Sequence, residues 1–275
     1  MKKSKKLILL IVGITFCMSC LKTIVKPDTD DTALSFISPE NAIPEDSVID
    51  KKKTLTSKKC IYLTIDDAPL NGSRYIDSVI TNAKVKTSIF IVGSPIHGSD
   101  RFKKYHEILK ENRYIELYNH SYSHANHKYA KYYQNTEQVV ADFEKNRLEF
   151  NLSHPVARLP GRNLWLLGDR KKNDKQSGFV AAELLSEKGY KIFGWDVEWK
   201  YDPKNHYTPQ QTIEELVAEI ERSDSTSNTF TPNHIVLLMH DQMFAKITEK
   251  NDLSKLIKKL QEHDYSFEYL SNYPE

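Results

Sequence analysis

From residue 58 to the C-terminus, short runs of β-forming residues alternate with amphipathic stretches, and this alternation most strongly constrains the fold. The stretches repeat apolar residues at spacings of three and four, which is typical of helices with one buried face. The pattern predicts an α/β fold in which about seven parallel strands form a distorted (β/α) barrel. The predicted strands are residues 60–65, 87–92, 114–118, 155–159, 191–195, 234–239 and 265–269. A helix is also predicted to begin at Thr208, because a good cap residue there precedes Pro209.

The first 19 residues have the layout of a secretory signal peptide. Four lysines precede the apolar run 7–16, and Ser19-Cys20 follows. The run is shorter than the roughly 20 residues that a membrane-spanning helix needs. Ser19-Cys20 resembles a bacterial lipobox, in which the cysteine is acylated and becomes the mature N-terminus. We therefore expect an exported cell-envelope lipoprotein held at the membrane through Cys20; ordinary cleavage and release is the alternative.

Residues 20–57 contain three prolines, an acidic cluster and a lysine run, and sustain neither a helical nor a strand period. They are predicted to be a disordered tether to a catalytic domain at residues 58–275. Removal of residues 1–19 takes away four lysines and no acids, so the formal charge changes from +2 to −2. No basic stripe remains to indicate a nucleic-acid partner. We expect a monomer.

Two predicted strands end in residues that could bind a metal ion. Asp66 and Asp67 follow the strand 60–65, although aspartates before a proline also form ordinary solvated turns. His120 and His124 follow the strand 114–118, and their spacing of four would bring both imidazoles to one face of a helical turn. The nearby His127 shows that this stretch is rich in histidine, so the pair could be accidental.

Three more predicted strands have a charged or polar residue at or near their C-terminal end, namely Arg158, Asp196 and His240. A lone histidine after an apolar run, such as His240, is usually a hydrogen-bonded core residue. Because the C-terminal ends of parallel strands meet at one edge of the sheet, the joint pattern favours a functional site instead.

In chain order, these residues resemble the motifs of the polysaccharide deacetylases of carbohydrate esterase family four. Residues 86–92 are similar to the family's second strand, so the resemblance extends from about residue 58 to the C-terminus. The motifs around Arg158 and Trp195 are looser than the others. The matching segments are Thr64-Ile65-Asp66-Asp67, His120-Ser121-Tyr122-Ser123-His124, Arg158-Leu159-Pro160-Gly161 and Leu238-Met239-His240.

The resemblance implies removal of N- or O-linked acetyl groups from a glycan. Asp67, His120 and His124 would hold one divalent ion, with zinc the first choice and cobalt or nickel the alternatives. Such a set leaves positions open for water and substrate, and the pKa of a bound water can fall to about 7. Asp66 would be the general base, and His240 the general acid that protonates the leaving group.

Further roles follow from the same resemblance. Arg158 would orient the catalytic aspartate, and a backbone N–H of the third motif would face the developing oxyanion. Asp196 is the first choice for the carboxylate that positions the general acid. Because this segment aligns in more than one register, two rivals remain, Glu198 and Asp202.

The third motif departs from the family, which has an aromatic residue before its glycine, whereas here Gly161 is followed by Arg162. An aromatic wall of the pocket is therefore expected to be missing. Trp195 and Trp199 could pack against an acetyl methyl or a sugar face, but core packing is an equally good interpretation. The competing hypothesis for the whole chain is a glycan-binding surface lipoprotein without turnover; the presence of every expected ligand, the base and the acid argues against it.

Overall fold

The computed structural model describes residues 59–275. The expected signal peptide and tether lie outside these residues. Within the described part of the chain, none of the helices combines the length and the apolar character needed to cross a membrane.

Strands and helices alternate along the described chain as the sequence indicates. The strands are β1 (Cys60–Ala68), β2 (Thr87–Ile91), β3 (Ile115–Asn119), β4 (Val156–Ala157), β5 (Trp165–Leu167), β6 (Arg170–Lys172), β7 (Lys191–Ile192), β8 (Val197–Glu198), β9 (Tyr201–Asp202), β10 (Thr208–Pro209), β11 (His234–His240) and β12 (Ser266–Phe267). The α-helices are α1 (Ser73–Ala83), α2 (Gly93–Gly98), α3 (Asp100–Glu111), α4 (Tyr129–Tyr132), α5 (Thr136–Glu149), α6 (Phe179–Glu187), α7 (Ile213–Ser225) and α8 (Leu253–Glu262). Short 3-10 helices lie at Asp241–Phe244 and Leu270–Asn272, and His124–His127 form a tight turn with positive φ angles.

The main sheet is rich in parallel strands and curls into a half-barrel. Its hydrogen-bonded order is β6-β5-β7-β4-β3-β2-β1-β11-β8, and β12 pairs with the start of β1. All neighbours from β7 to β8 are parallel, whereas β5 is antiparallel to both β6 and β7. Each of the seven predicted strands is present, so the predicted distorted barrel is confirmed.

The centre of the sheet is β1, in which every residue except Asp67 is buried. A strand covered on both faces reads as a continuous apolar run, which is the pattern of residues 60–65. Apolar faces of α1, α7 and α8 pack against this part of the sheet, with residues such as Ile76, Leu216 and Leu256 in the main core. The core thereby fixes the C-terminal ends of β1 and β11 side by side.

The predicted helix start at Thr208 is wrong. Thr208 and Pro209 form β10, which pairs with β9 in a two-stranded antiparallel hairpin. A proline is tolerated in so short an edge strand because few ladder bonds depend on its missing N–H. The helix begins at Ile213 instead, where Thr212 accepts a hydrogen bond from Glu215 N at 3.2 Å and donates its own N–H to the Glu215 carboxylate at 2.9 Å. This reciprocal capping box is the stronger start signal.

Candidate metal centre and cleft

The strand ends meet at a cleft of about 860 Å³. Its lining includes both candidate aspartates of β1 and three of the candidate histidines. Aromatic side chains from several loops complete it. The lining includes Asp66, Asp67, His120, His124, His127, Tyr129, Gly161, Trp195, Glu198, Tyr201, Tyr207, Leu238 and His240.

Asp66 and Asp67 both line the cleft because β1 is distorted where it ends. The pairing of β1 with β2 shifts register between Ile65 and Ala68. Asp67 has a φ of 68°, a left-handed conformation that is uncommon for a residue other than glycine. The distortion breaks the alternation that would otherwise send adjacent side chains to opposite faces of the sheet.

Asp67, His120 and His124 form a cluster suited to a metal ion. One ligand atom from each residue lies within 4.8 Å of the other two. His120 Nε2 is 3.5 Å and His124 Nε2 is 3.0 Å from Asp67 Oδ1. Asp67 Oδ1 is nevertheless buried without a hydrogen-bond partner in the described residues. A buried carboxylate oxygen that faces two imidazole nitrogens without a well-formed hydrogen bond is a chemically suitable ligand, so these residues fit a divalent ion.

The two histidines do not share the face of a helix, so that expectation is wrong. His120 directly follows β3, and the chain reaches His124 through a turn in which Ser121 has a φ of 66° and His124 a φ of 49°. The turn still brings the ring centroids to 5.1 Å. His120 Nδ1 donates to the carbonyl of Arg158 at 2.8 Å, which leaves Nε2 facing the aspartates.

Burial dominates the pKa of one histidine of the cluster, and the charge of Asp67 dominates the pKa of the other. Burial lowers the pKa of His120, which keeps the imidazole neutral, as a metal ligand must be. Burial opposes the charges on Asp67 and His124 as well, but their attraction outweighs it. The pKa of Asp67 is held below its usual range by His124, His240 and His120, and the Asp67 carboxylate raises the pKa of His124.

Arg158 is fully buried and binds Asp66. Its Nη1 donates to Asp66 Oδ1 at 2.8 Å and to Thr64 Oγ1 at 2.9 Å. The other guanidinium nitrogens donate to the backbone carbonyls of residues 193 and 194. Asp66 Oδ2 lies 3.6 Å from His120 Nε2. Arg158 therefore fixes one oxygen of Asp66 and leaves the other turned toward the metal cluster.

His240 ends β11 directly opposite Asp66 of β1, since the two residues pair in the parallel register. The ring of Tyr201 packs edge-on against it at a centroid distance of 4.9 Å. His240 Nδ1 is buried and has no hydrogen-bond partner among the described residues. The aspartate and the histidine thus face the same cleft from neighbouring strands.

Asp196 does not make the expected contact with His240. Its two carboxylate oxygens accept hydrogen bonds from the backbone N–H groups of Phe230 at 2.7 Å and Val236 at 2.9 Å. It therefore anchors the chain that leads into β11, and burial raises its pKa to about 6. Of the two rivals, Glu198 lines the cleft, whereas Asp202 accepts from the backbone of residue 204 within the β9-β10 hairpin.

An aromatic wall is present after all, supplied by another segment of the chain. Gly161 has a φ of 65°, and a Cβ there would lie 3.3 Å from Cε1 of Tyr129. Tyr129, in α4, lines the cleft beside this glycine. Arg162 instead lies buried against the ring of Tyr133 at 4.6 Å. The expectation of a missing wall is wrong, and no spacing in the sequence signals Tyr129.

The remaining aromatic residues separate into core and cleft. Trp199 is fully buried and its Nε1 donates to the carbonyl of Gln211, so it packs in the core. Trp195 lines the cleft. Tyr201 and Tyr207, whose rings are 5.6 Å apart, also line it from the β9-β10 hairpin. No sequence pattern singles out these two tyrosines, because the hairpin strands are too short to show a period.

Asp241, next to His240, is a buried carboxylate that ties down the loop after β1. Its Oδ1 accepts from Gly72 N at 2.7 Å, and its Oδ2 accepts from the Ser73 hydroxyl. Burial raises the pKa of Asp241 well above the usual range of an aspartate, to about 6. Because the pKa is higher in the folded state, the protonated carboxyl stabilises the fold at a pH below the pKa of the unfolded state. This contribution is lost as the pH rises through the folded-state pKa of about 6.

Asp241→Asn removes the titrating carboxyl. We expect the free energy of unfolding of the wild type, relative to that of this variant, to fall by about 2 kcal/mol between pH 4 and pH 7. Urea titrations followed by circular dichroism at pH 4, 5.5 and 7 would measure it. Asp252→Asn is the matched control, because the pKa of Asp252 is lowered and its effect should have the opposite sign. A difference between wild type and Asp241→Asn that stays constant over this range would contradict the assignment.

Comparison with known proteins gives a consistent result. A family model described as polysaccharide deacetylase matches residues 53–153, a segment that contains the aspartates of β1 and the metal-cluster histidines. The chain is 23% identical over 241 residues to chitin disaccharide deacetylase of Vibrio alginolyticus, with 65% of this chain and 56% of that protein covered. It therefore spans little more than half the length of that relative.

A second relative is the putative polysaccharide deacetylase YheN of Bacillus subtilis, 25% identical over 219 residues, with 78% of this chain and 68% of that protein covered. Among solved structures, a CE4 esterase of Streptococcus mutans superposes with a TM-score of 0.56 at 24% identity. That match covers 78% of this chain and 86% of the other. At this identity the superposition shows a shared fold.

Proposed function

We propose that this chain, which is similar to the polysaccharide deacetylases of carbohydrate esterase family four, is a metal-dependent hydrolase that removes acetyl groups from a polysaccharide. One observation carries the proposal. The Asp67, His120 and His124 cluster converges on one cleft with the arginine-bound Asp66 and with His240, whose Nδ1 has no hydrogen-bond partner among the described residues.

Zinc is the proposed ion. Two imidazole nitrogens and one carboxylate oxygen are a common catalytic zinc set, and cobalt and nickel accept the same ligands. When bound, the ion supplies Lewis-acid polarisation of a carbonyl and lowers the pKa of a coordinated water. The partnerless buried oxygen of Asp67 is the feature that supports a cation at this position.

The chain's own residues divide the proton transfers. Asp66 accepts the proton of the attacking water on the oxygen that Arg158 leaves free. His240 then donates a proton to the departing amine of an N-acetyl group or the departing hydroxyl of an O-acetyl group. Parallel neighbours lie about 4.8 Å apart, so a base and an acid on adjacent strand ends can flank one scissile bond.

An acetylated glycan is the proposed substrate. The cleft is bordered by the aromatic rings of Tyr129, Trp195, Tyr201 and Tyr207. Aromatic faces pack well against the apolar faces of sugars, and Leu238 and Trp195, which both line the cleft, offer apolar surface for an acetyl methyl. The chitin disaccharide named for the Vibrio relative makes an N-acetylated aminosugar the first substrate to test.

We also propose export and attachment to the membrane by a lipid on Cys20. The supporting features are the lysine-rich start, the apolar run 7–16 and the Ser19-Cys20 pair. The segment up to residue 57 would then let the catalytic domain reach a glycan in the cell envelope.

Acetate release tests the enzymatic proposal. Chelated protein should be inactive, and addition of zinc, cobalt or nickel should restore release of acetate from acetylated chitooligosaccharides, peptidoglycan or acetylxylan, assayed side by side. Metal binding without acetate release from any of these substrates would instead support a glycan-binding protein without turnover.

A further inference from the structure

The segment that carries His124 has an unfavourable backbone conformation. The φ angles are 49° at His124, 54° at Ala125, 45° at Asn126 and 56° at His127. Residues other than glycine rarely adopt left-handed φ values, and here four such residues do so in succession. Such a conformation persists only where surrounding contacts hold it.

One carboxylate of α5 binds this segment on both sides of His124. Asp142 Oδ2 accepts from Ser123 N at 3.2 Å and from Ser123 Oγ at 2.9 Å. The same oxygen accepts from the Tyr132 hydroxyl at 2.8 Å. In addition, the Asp142 carbonyl accepts from Tyr122 N at 3.3 Å. Residues 123 and 132 are thereby closed onto a single atom, with His124 between them.

The backbone hydrogen bond of His124 is local. His124 N donates to Ser121 Oγ at 3.0 Å, which shapes the turn but does not attach it to a helix. Asp142, by contrast, lies on a 14-residue helix whose buried face packs in the core through Val139, Val140 and Phe143. The three hydrogen bonds to Asp142 Oδ2 therefore attach the segment to a helix that is itself packed in the core.

We propose that Asp142 is a positioning residue that holds His124 in place to bind the metal ion; the inference rests on the metal-dependent function proposed above. When Asp142 is present, the left-handed conformation is formed before the ion arrives, so binding does not have to order the segment. Without it, the segment relaxes, and the competent arrangement of His124 is populated only part of the time. The apparent affinity for the ion is then the intrinsic affinity multiplied by the fraction of molecules in the competent arrangement.

Zinc affinity of the full protein tests the proposal, measured by competition with a chromophoric chelator. Asp142→Ala is expected to weaken zinc binding by about 10-fold or more, within the range typical of residues that support metal ligands. Tyr132→Phe removes one of the three hydrogen bonds and should give a smaller loss. Glu137→Ala is the matched control, since it removes an exposed carboxylate from the first turn of the same helix.

A second measurement separates positioning from general stability. Urea unfolding of the metal-free proteins should show whether a variant is destabilised independently of zinc. Reduced stability with unchanged zinc affinity would overturn the proposal and leave Asp142 a purely structural residue. If Asp142→Ala does not fold, Tyr132→Phe decides, because unchanged affinity in that variant also overturns it. A wild-type protein that binds no zinc would instead remove the proposed metal-dependent function, and this inference with it.

Discussion

Asp66→Asn is expected to keep one metal ion per chain and to lose deacetylation by a factor between about 10² and 10⁴, the range associated with a general base. The amide is nearly the same size as the carboxylate and its oxygen can still accept from Arg158. It cannot, however, take a proton from water. The three proposed metal ligands are untouched, so binding and catalysis separate in this variant.

Metal content of the purified variant and its rate of acetate release test this expectation together. The buried Arg158 loses its counter-charge in Asp66→Asn, so stability should also fall, by about 3 to 5 kcal/mol if the arginine stays charged and buried. Rates must therefore be compared at a temperature where circular dichroism shows a folded protein. Asp100→Asn makes the same chemical change at an exposed position and should behave as wild type. A rate within 10-fold of wild type would eliminate Asp66 as the base.

The fold was predictable because its central strands are covered on both faces. Runs such as 60–65 and 234–239 are almost entirely apolar, and a fully buried parallel strand requires this. The hairpin of β5 and β6 lacked any such signal, since β6 is Arg170–Lys172, three residues at the sheet edge that are largely solvated. Short edge strands are defined by their partners, which a local pattern does not contain.

The sequence was enough to predict that the site residues lie together, because the C-terminal ends of parallel strands meet at one edge of the sheet. The sequence was not enough to predict the local backbone geometry of the site. The spacing of His120 and His124 suggested a helical turn, whereas left-handed residues bring the rings together. Long-range hydrogen bonds stabilise those backbone angles, and the Asp142 contact comes from 19 residues further along the chain.

Asp196 illustrates the same limit. A carboxylate between two tryptophans near the end of a strand suggested a partner for His240. Its actual partners are backbone amides 34 and 40 residues later, which no motif could reveal. Tyr201, within the same ambiguous segment, is the residue whose ring contacts His240. Strand-end position thus indicated which residues gather at the cleft, but not how they contact one another.

His120→Ala is expected to abolish both zinc binding and activity, whereas His127→Ala should retain both. His120 Nε2 faces Asp67 and the His120 side chain is buried, so alanine removes one of the three ligand atoms of the cluster. The loss of zinc affinity should exceed the roughly 100-fold upper range seen for supporting residues. His127 is a stringent control, because it lines the same cleft and its ring lies 5.4 Å from that of His124, yet it is outside the three-residue cluster. Zinc titrations of both variants, with acetate release measured in parallel, give the comparison. Loss of zinc from His127→Ala but not from His120→Ala would show that the proposed metal ligands are wrong. The proton-transfer roles of Asp66 and His240 would then have to be reassigned.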